Sequence, residues 1–186
     1  MSFINPIHNT PFAATNYNSL GNAFAPPFLS RTRRRVPQPP ASRGKPNGHP
    51  TITFDLLGQS RQGIPMRDIQ PGFRTVDRWL AKANDQVFAG SGLKRITLYI
   101  TWPGFEHIDW NRSIDLVGGS ITRAELANVI SQNFARFVEK AQYQPSSVSD
   151  WPLGPNAIRF EHLVLVSIYN IHADAYQVDV AVDPYA

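Results

Sequence analysis

The chain has 186 residues, of which 42% are hydrophobic and 17% charged, with 16 prolines, no cysteine and a formal charge of +4. That length fits one globular unit plus a tail rather than two full domains. The lack of cysteine removes disulfide scaffolds, iron–sulfur clusters, thiolate zinc sites and cysteine nucleophiles. No apolar run approaches the roughly 20 residues that cross a bilayer, and Met1 to Pro6 carry neither a basic nor an apolar leader, so an intracellular, cytoplasmic protein with no membrane partner is expected.

Charge divides the chain near position 50. Residues 1–50 hold Arg31, Arg33, Arg34, Arg35, Arg43 and Lys45 and no acidic side chain, while the remainder carries 12 basic against 14 acidic groups. Nine of the 16 prolines lie in the same first 50 positions. A segment so interrupted buries too little apolar area to offset its ordering entropy, so residues 1–50 are expected to be a basic, proline-rich, largely disordered arm ahead of one domain at 51–186. Phe3, Ile4, Ile7, Phe12, Tyr17, Leu20, Phe24, Phe28 and Leu29 make this arm more apolar than a linker, which suits packing on its own domain or on a neighbouring subunit.

Periodic segments begin at Thr51. Ile52, Phe54 and Leu56 alternate with Thr51, Thr53 and Asp55 as in a half-buried strand. Gly58 to Gly72, with Pro65 and Pro71, reads as a loop, and Val76, Trp79 and Leu80 fall at helical spacing in a short helix at 74–82. Lys94–Thr101 alternates cleanly and predicts a strand, and a second alternating run carries Ile114 and Leu116. Thr122-Arg123-Ala124-Glu125 has capping-box spacing, and Leu126, Val129, Ile130, Phe134, Phe137, Val138 and Ala141 then trace one apolar face, predicting a helix near 122–142. His162–Tyr169 is almost wholly apolar, as in a strand covered on both faces, whereas Tyr176, Val178, Val180 and Val182 alternate with Gln177, Asp179, Ala181 and Asp183 as in a one-sided strand.

This order predicts an α+β fold: two layers, one long helix packed on a mixed or antiparallel sheet, preceded by the mostly irregular arm. Within 94–183 the hairpin, helix and returning strands resemble a β-grasp arrangement, similar in outline to ubiquitin-like and PB1-type interaction domains. The acidic cluster of one PB1 class is missing and Lys94 matches the basic strand residue of the other only loosely, so no functional residue carries over. The wording of Arg95 to His107, Ile121 to Leu126 and Ile158 to Ser167 resembles an uncharacterised protein family of mushroom-forming fungi over about 51–183. That resemblance implies a self-contained intracellular fungal domain and nothing about chemistry.

Chemistry has few carriers. Glu106-His107-Ile108-Asp109, Glu161-His162 and His172-Ala173-Asp174 juxtapose carboxylates and imidazoles, but two ligands are short of the three or four that zinc sites use, and no HExxH spacing accompanies them. No nucleophile elbow, P-loop or dinucleotide motif occurs, and Gly118-Gly119-Ser120 before the long helix offers at most free amides to an anion. No catalytic residue, metal or cofactor is therefore assigned. Trp102, Phe105, His107 and Trp110, in one loop, either form an exposed aromatic anchor or plug the open end of the core, and the plug is the default where nothing shows exposure. Arg31, Arg33, Arg34 and Arg35 fit three roles: nucleic-acid contact, a nuclear-import signal, or, with Arg34, Pro37 and Pro40 in R-x-x-P-x-x-P spacing, a proline-rich ligand for an aromatic groove. The expectation is a non-enzymatic protein-interaction or structural module, a self-associating homo-oligomer whose arm extends or regulates assembly. Nucleic-acid binding through the arginine-rich arm is the alternative.

Overall fold

The computed structural model describes residues 30–38, 48–69 and 76–185. Seven strands form one mixed sheet: β1 (Arg34–Arg35), β2 (Ile52–Thr53), β3 (Ile64–Pro65), β4 (Arg95–Ile100), β5 (Trp110–Asp115), β6 (Leu163–His172) and β7 (Ala175–Val182). Helix α1 (Met66–Ile69) is a single turn, and α2 spans Arg123–Ala141. The fold class is thus α+β.

Sheet order is β2-β6-β7-β4-β5, with β4 and β5 antiparallel, β6 and β7 antiparallel, and β4 parallel to β7 (Thr97↔Ala175 to Tyr99↔Gln177). Two strand edges are each shared by two neighbours. β2 and β3 take successive stretches of β6 (Ile52↔Ile168, Ile64↔Leu165), and β1 takes the part of β7 beyond β4 (Arg34↔Val182, Arg35↔Ala181). β7 therefore has neighbours along both edges, and all of its residues are buried. The one-sided strand expected there is corrected: Gln177 and Asp179 are buried as well, because the face away from the helix holds polar partners for them, and Ala181 is buried there against Val164 and Val166.

Helix α2 begins where its capping box predicts. Thr122 Oγ1 accepts from the Glu125 amide (3.1 Å) and Glu125 Oε2 accepts from the Thr122 amide (3.0 Å). Its buried face carries Leu126, Ile130, Phe134, Phe137 and Val138, each worth about 1.5–3 kcal/mol on removal from water. These pack with Ile96, Leu98, Leu165, Ile168, Val178 and Val180, the sheet residues of the same core.

Other expectations shift in detail. Of the strand expected over 51–56, only Ile52 and Thr53 pair with β6, and Leu56 makes isolated bridges to Gln59 and Leu80. The expected 58–72 loop contains β3 and α1 in its described part. The helix expected at 74–82 is described from Val76 only, where the Trp79 and Leu80 amides both reach the Val76 carbonyl (3.0 and 2.9 Å) and no longer helix follows.

The largest departure lies in the arm. Arg34–Arg35, expected within an irregular leader, instead enter the sheet as β1, and Val36 is 1% exposed in the main core with its amide on the Val180 carbonyl (2.9 Å). Residues 1–29 and 39–47, and with them Pro40 and the apolar side chains from Phe3 to Leu29, lie outside the described residues.

Candidate interaction site

The arginines of the basic run point by strand alternation to two faces of β1. On the face away from α2, Arg33 Nε donates to Asp183 Oδ2 (3.1 Å) and Arg35 donates to Asp179 Oδ2 (2.5 Å). Arg33 also donates to the Gln62 carbonyl (2.5 Å). On the other face the Arg34 guanidinium lies 4.8 Å from the Trp151 ring centroid. Arg31 is exposed. Two of the four side chains considered for phosphate contact, Arg33 and Arg35, thus serve as counter-charge inside the fold, while Arg34 is exposed and lies over the Trp151 ring. Arg34 and Pro37 belong to a segment bound to β7, not to a free polyproline ligand, and this corrects the proline-rich-ligand reading for its described residues.

The carboxylates they meet are unusual for a sheet interior. Asp179 also accepts from Ser167 Oγ (3.4 Å), and Gln177 Nε2 donates to Gln38 Oε1 and Thr101 Oγ1 (2.8 Å each). Burial, then the Asp179 charge, push the Tyr169 phenol above its ordinary value. For Asp183, burial acts to raise the carboxyl, but the Tyr185 amide, Thr32, Arg33 and Ser30 outweigh it and hold it below its usual range. Buried charges need partners in such a place, and β1 supplies them.

The aromatic loop is internal. Trp102, Phe105, Ile108 and Trp110 are all buried, Trp102 Nε1 donates to the Trp151 carbonyl (2.9 Å), and Trp110 meets Phe137 edge-on at 5.8 Å between ring centroids. Gly104 shapes the turn at φ +86, where a Cβ would collide with Ser146. The exposed-anchor alternative therefore fails for Trp102, Phe105 and Trp110, and only His107 of the four candidates is exposed.

The acid–imidazole neighbours are each held by local partners. Glu106 accepts the Gly104 amide (2.9 Å), Asp109 accepts from Asn111 (3.0 Å), His162 Nδ1 accepts the Arg159 amide (3.2 Å), and Asp174 accepts from Thr97 (3.4 Å). Among the described residues no three His, Asp or Glu side chains gather as a metal would require. The amides at the start of α2 are also occupied: those of Arg123 and Ala124 reach the Asp85 and Ala83 carbonyls (2.9 and 3.0 Å), so Gly118-Gly119 serve the turn at Val117–Gly119. A cleft of about 520 Å³ between His49–Ile52 and Asp85–Ser91 has Arg123 in its wall, but that guanidinium donates to the Thr53 and Lys82 carbonyls (2.6 and 3.3 Å).

The surface feature without an internal role lies elsewhere. Trp102, Trp110 and Trp151 are buried, whereas Trp79 is 61% exposed beside Leu57, also 61% exposed. The two are joined by a backbone hydrogen bond from the Leu57 amide to the Trp79 carbonyl (2.8 Å), and the Ala81 amide reaches the Asp55 carbonyl (2.8 Å). Val76 and Leu80 anchor the second segment in the core. Sequence reasoning placed Val76, Trp79 and Leu80 on one apolar helix face, whereas only Val76 and Leu80 are buried. Leu57 had a legible signal: it continues the outward parity of Thr51, Thr53 and Asp55.

No family model matches the chain, and no curated protein or solved structure matches it. Among the described residues no helix is long and apolar enough to cross a membrane.

Proposed function

We propose that the chain is a non-enzymatic, intracellular protein-interaction module that meets its partner through Leu57 and Trp79. The observation that carries this is the contrast among the four tryptophans: three are packed in the core and one, with a leucine at its side, faces water. A large indole costs little conformational entropy to immobilise and is the side chain type most enriched at interface hot spots. The sheet also supports the reading. A hairpin, a helix and a second hairpin whose first and last strands lie parallel is the arrangement of β-grasp interaction domains, and the likeness is one of topology.

Sedimentation of the full chain across a concentration series tests self-association as the simplest form of such contact. The expected result is a single mass at every concentration for the parent and for Trp79→Ser, with the circular dichroism spectrum unchanged, as for a surface that meets a different protein. A rise in mass with concentration that Trp79→Ser abolishes would make a second copy the partner.

A further inference from the structure

We infer that the Leu57–Trp79 surface receives an acidic segment of a partner protein that carries an apolar anchor, and not the same surface of a second copy. This rests on the reading of that surface as a docking site and adds the chemistry of its occupant. The charges of its two segments lean to one side. Arg61, Arg78 and Lys82 are exposed on the segments that bear Leu57 and Trp79, while Asp55 and Asp77 are half-buried and the exposed Asp85 faces Arg123 at 3.5 Å. Asp55 already accepts the Gly63 amide (3.2 Å), and one oxygen of Asp77 is buried away from water.

Two of these cations occupy left-handed backbone, Arg61 at φ 60 and Lys82 at φ 58. Non-glycine residues sit there at a cost, and such positions gather at binding and functional sites. The Lys82 turn is fixed by its carbonyl, which accepts from the Asp85 amide (3.0 Å) and from Arg123 Nε (3.3 Å). Lys82 is therefore mounted on a set turn three residues after the exposed indole. In a two-fold contact of the surface with itself, Arg61, Arg78 and Lys82 would meet their own counterparts around a desolvated tryptophan, and like charges in an interface repel. An acidic segment removes that repulsion and gains from all three cations.

The test uses the full chain and three fluorescein-labelled peptides with a central Leu-Phe pair, flanked by Asp and Glu, by Ser, or by Lys. By anisotropy the acidic peptide is expected to bind roughly tenfold tighter than the Ser-flanked one, about what three surface ion pairs supply together, and to weaken as salt rises. Trp79→Ser should abolish binding. Arg61→Asn with Lys82→Asn and Arg78→Ser should erase the preference for acid while keeping the fold, since asparagine tolerates left-handed backbone. Ser- or Lys-flanked peptide binding as tightly as the acidic one, still lost in Trp79→Ser, would overturn the acidic partner and leave the docking surface standing. No binding of any peptide to a folded chain, with sedimentation unchanged by Trp79→Ser, would overturn both.

Discussion

Two tryptophans of the same chain make opposite demands on the fold. Trp102 is 1% exposed, donates to the Trp151 carbonyl and lies edge-on to the Trp151 ring, so Trp102→Ala opens a cavity and strands a carbonyl. Its expected cost is about 3–5 kcal/mol in urea unfolding. Trp79→Ala should fall within about 0.5 kcal/mol of the parent, as for an exposed residue without packing duties. Equal losses from the two substitutions would mean that Trp79 belongs to the core. At this scale the sequence is only half legible. Residue type and neighbours say that an aromatic will be buried or exposed for a reason, but which of the two depends on where a helix stops, and Trp79 falls in the turn that follows Val76.

At the scale of elements, β1 is the strand on which the buried charges depend. Its pairs with Asp179 and Asp183 are nearly dry at the carboxylate end, so Arg35→Ala leaves Asp179 uncompensated and should destabilise by about 3 kcal/mol, the lower end for a broken buried pair. Acid should act on the same element. A carboxyl whose folded pKa is depressed, as for Asp183, stabilises the fold above its unfolded value of about 3.9 and loses that contribution as pH falls through the folded pKa. Hydrogen exchange at the Val36 amide should therefore accelerate on acidification beyond the intrinsic trend, and Asp183→Asn should flatten that response. Exchange insensitive to both would detach β1 from Asp183. Long periodic elements were legible: α2 lies at Arg123–Ala141 against an expected 122–142, and β4 at Arg95–Ile100 against 94–101. The two-residue strands were not, because two residues have no period. Arg33 and Arg35 carry the composition of a solvated tail, and only the aspartates about 145–150 positions later, at 183 and 179, give them a place inside.

For the whole molecule, the seam in composition near position 50 is not a seam in the fold over residues 30–38. A chain starting at Ser30 should unfold as a folded domain does, whereas one starting at Gly48 loses β1, Val36 and both guanidinium partners. Its urea midpoint should fall by about 1.5 M, taking about 3 kcal/mol of lost stability and a slope of about 2 kcal/mol per molar. Equal midpoints would return residues 30–38 to the status of a detachable leader. The whole molecule then reads as a closed core with Arg33 and Arg35 of its basic run turned inward and the Leu57–Trp79 pair turned outward. That outward surface is tested most directly by affinity purification of the tagged full chain from its native cell, side by side with Leu57→Ser/Trp79→Ser. A protein recovered in stoichiometric amount with the parent and lost with the double variant is the expected result; the same proteins in the same amounts with both chains would contradict it.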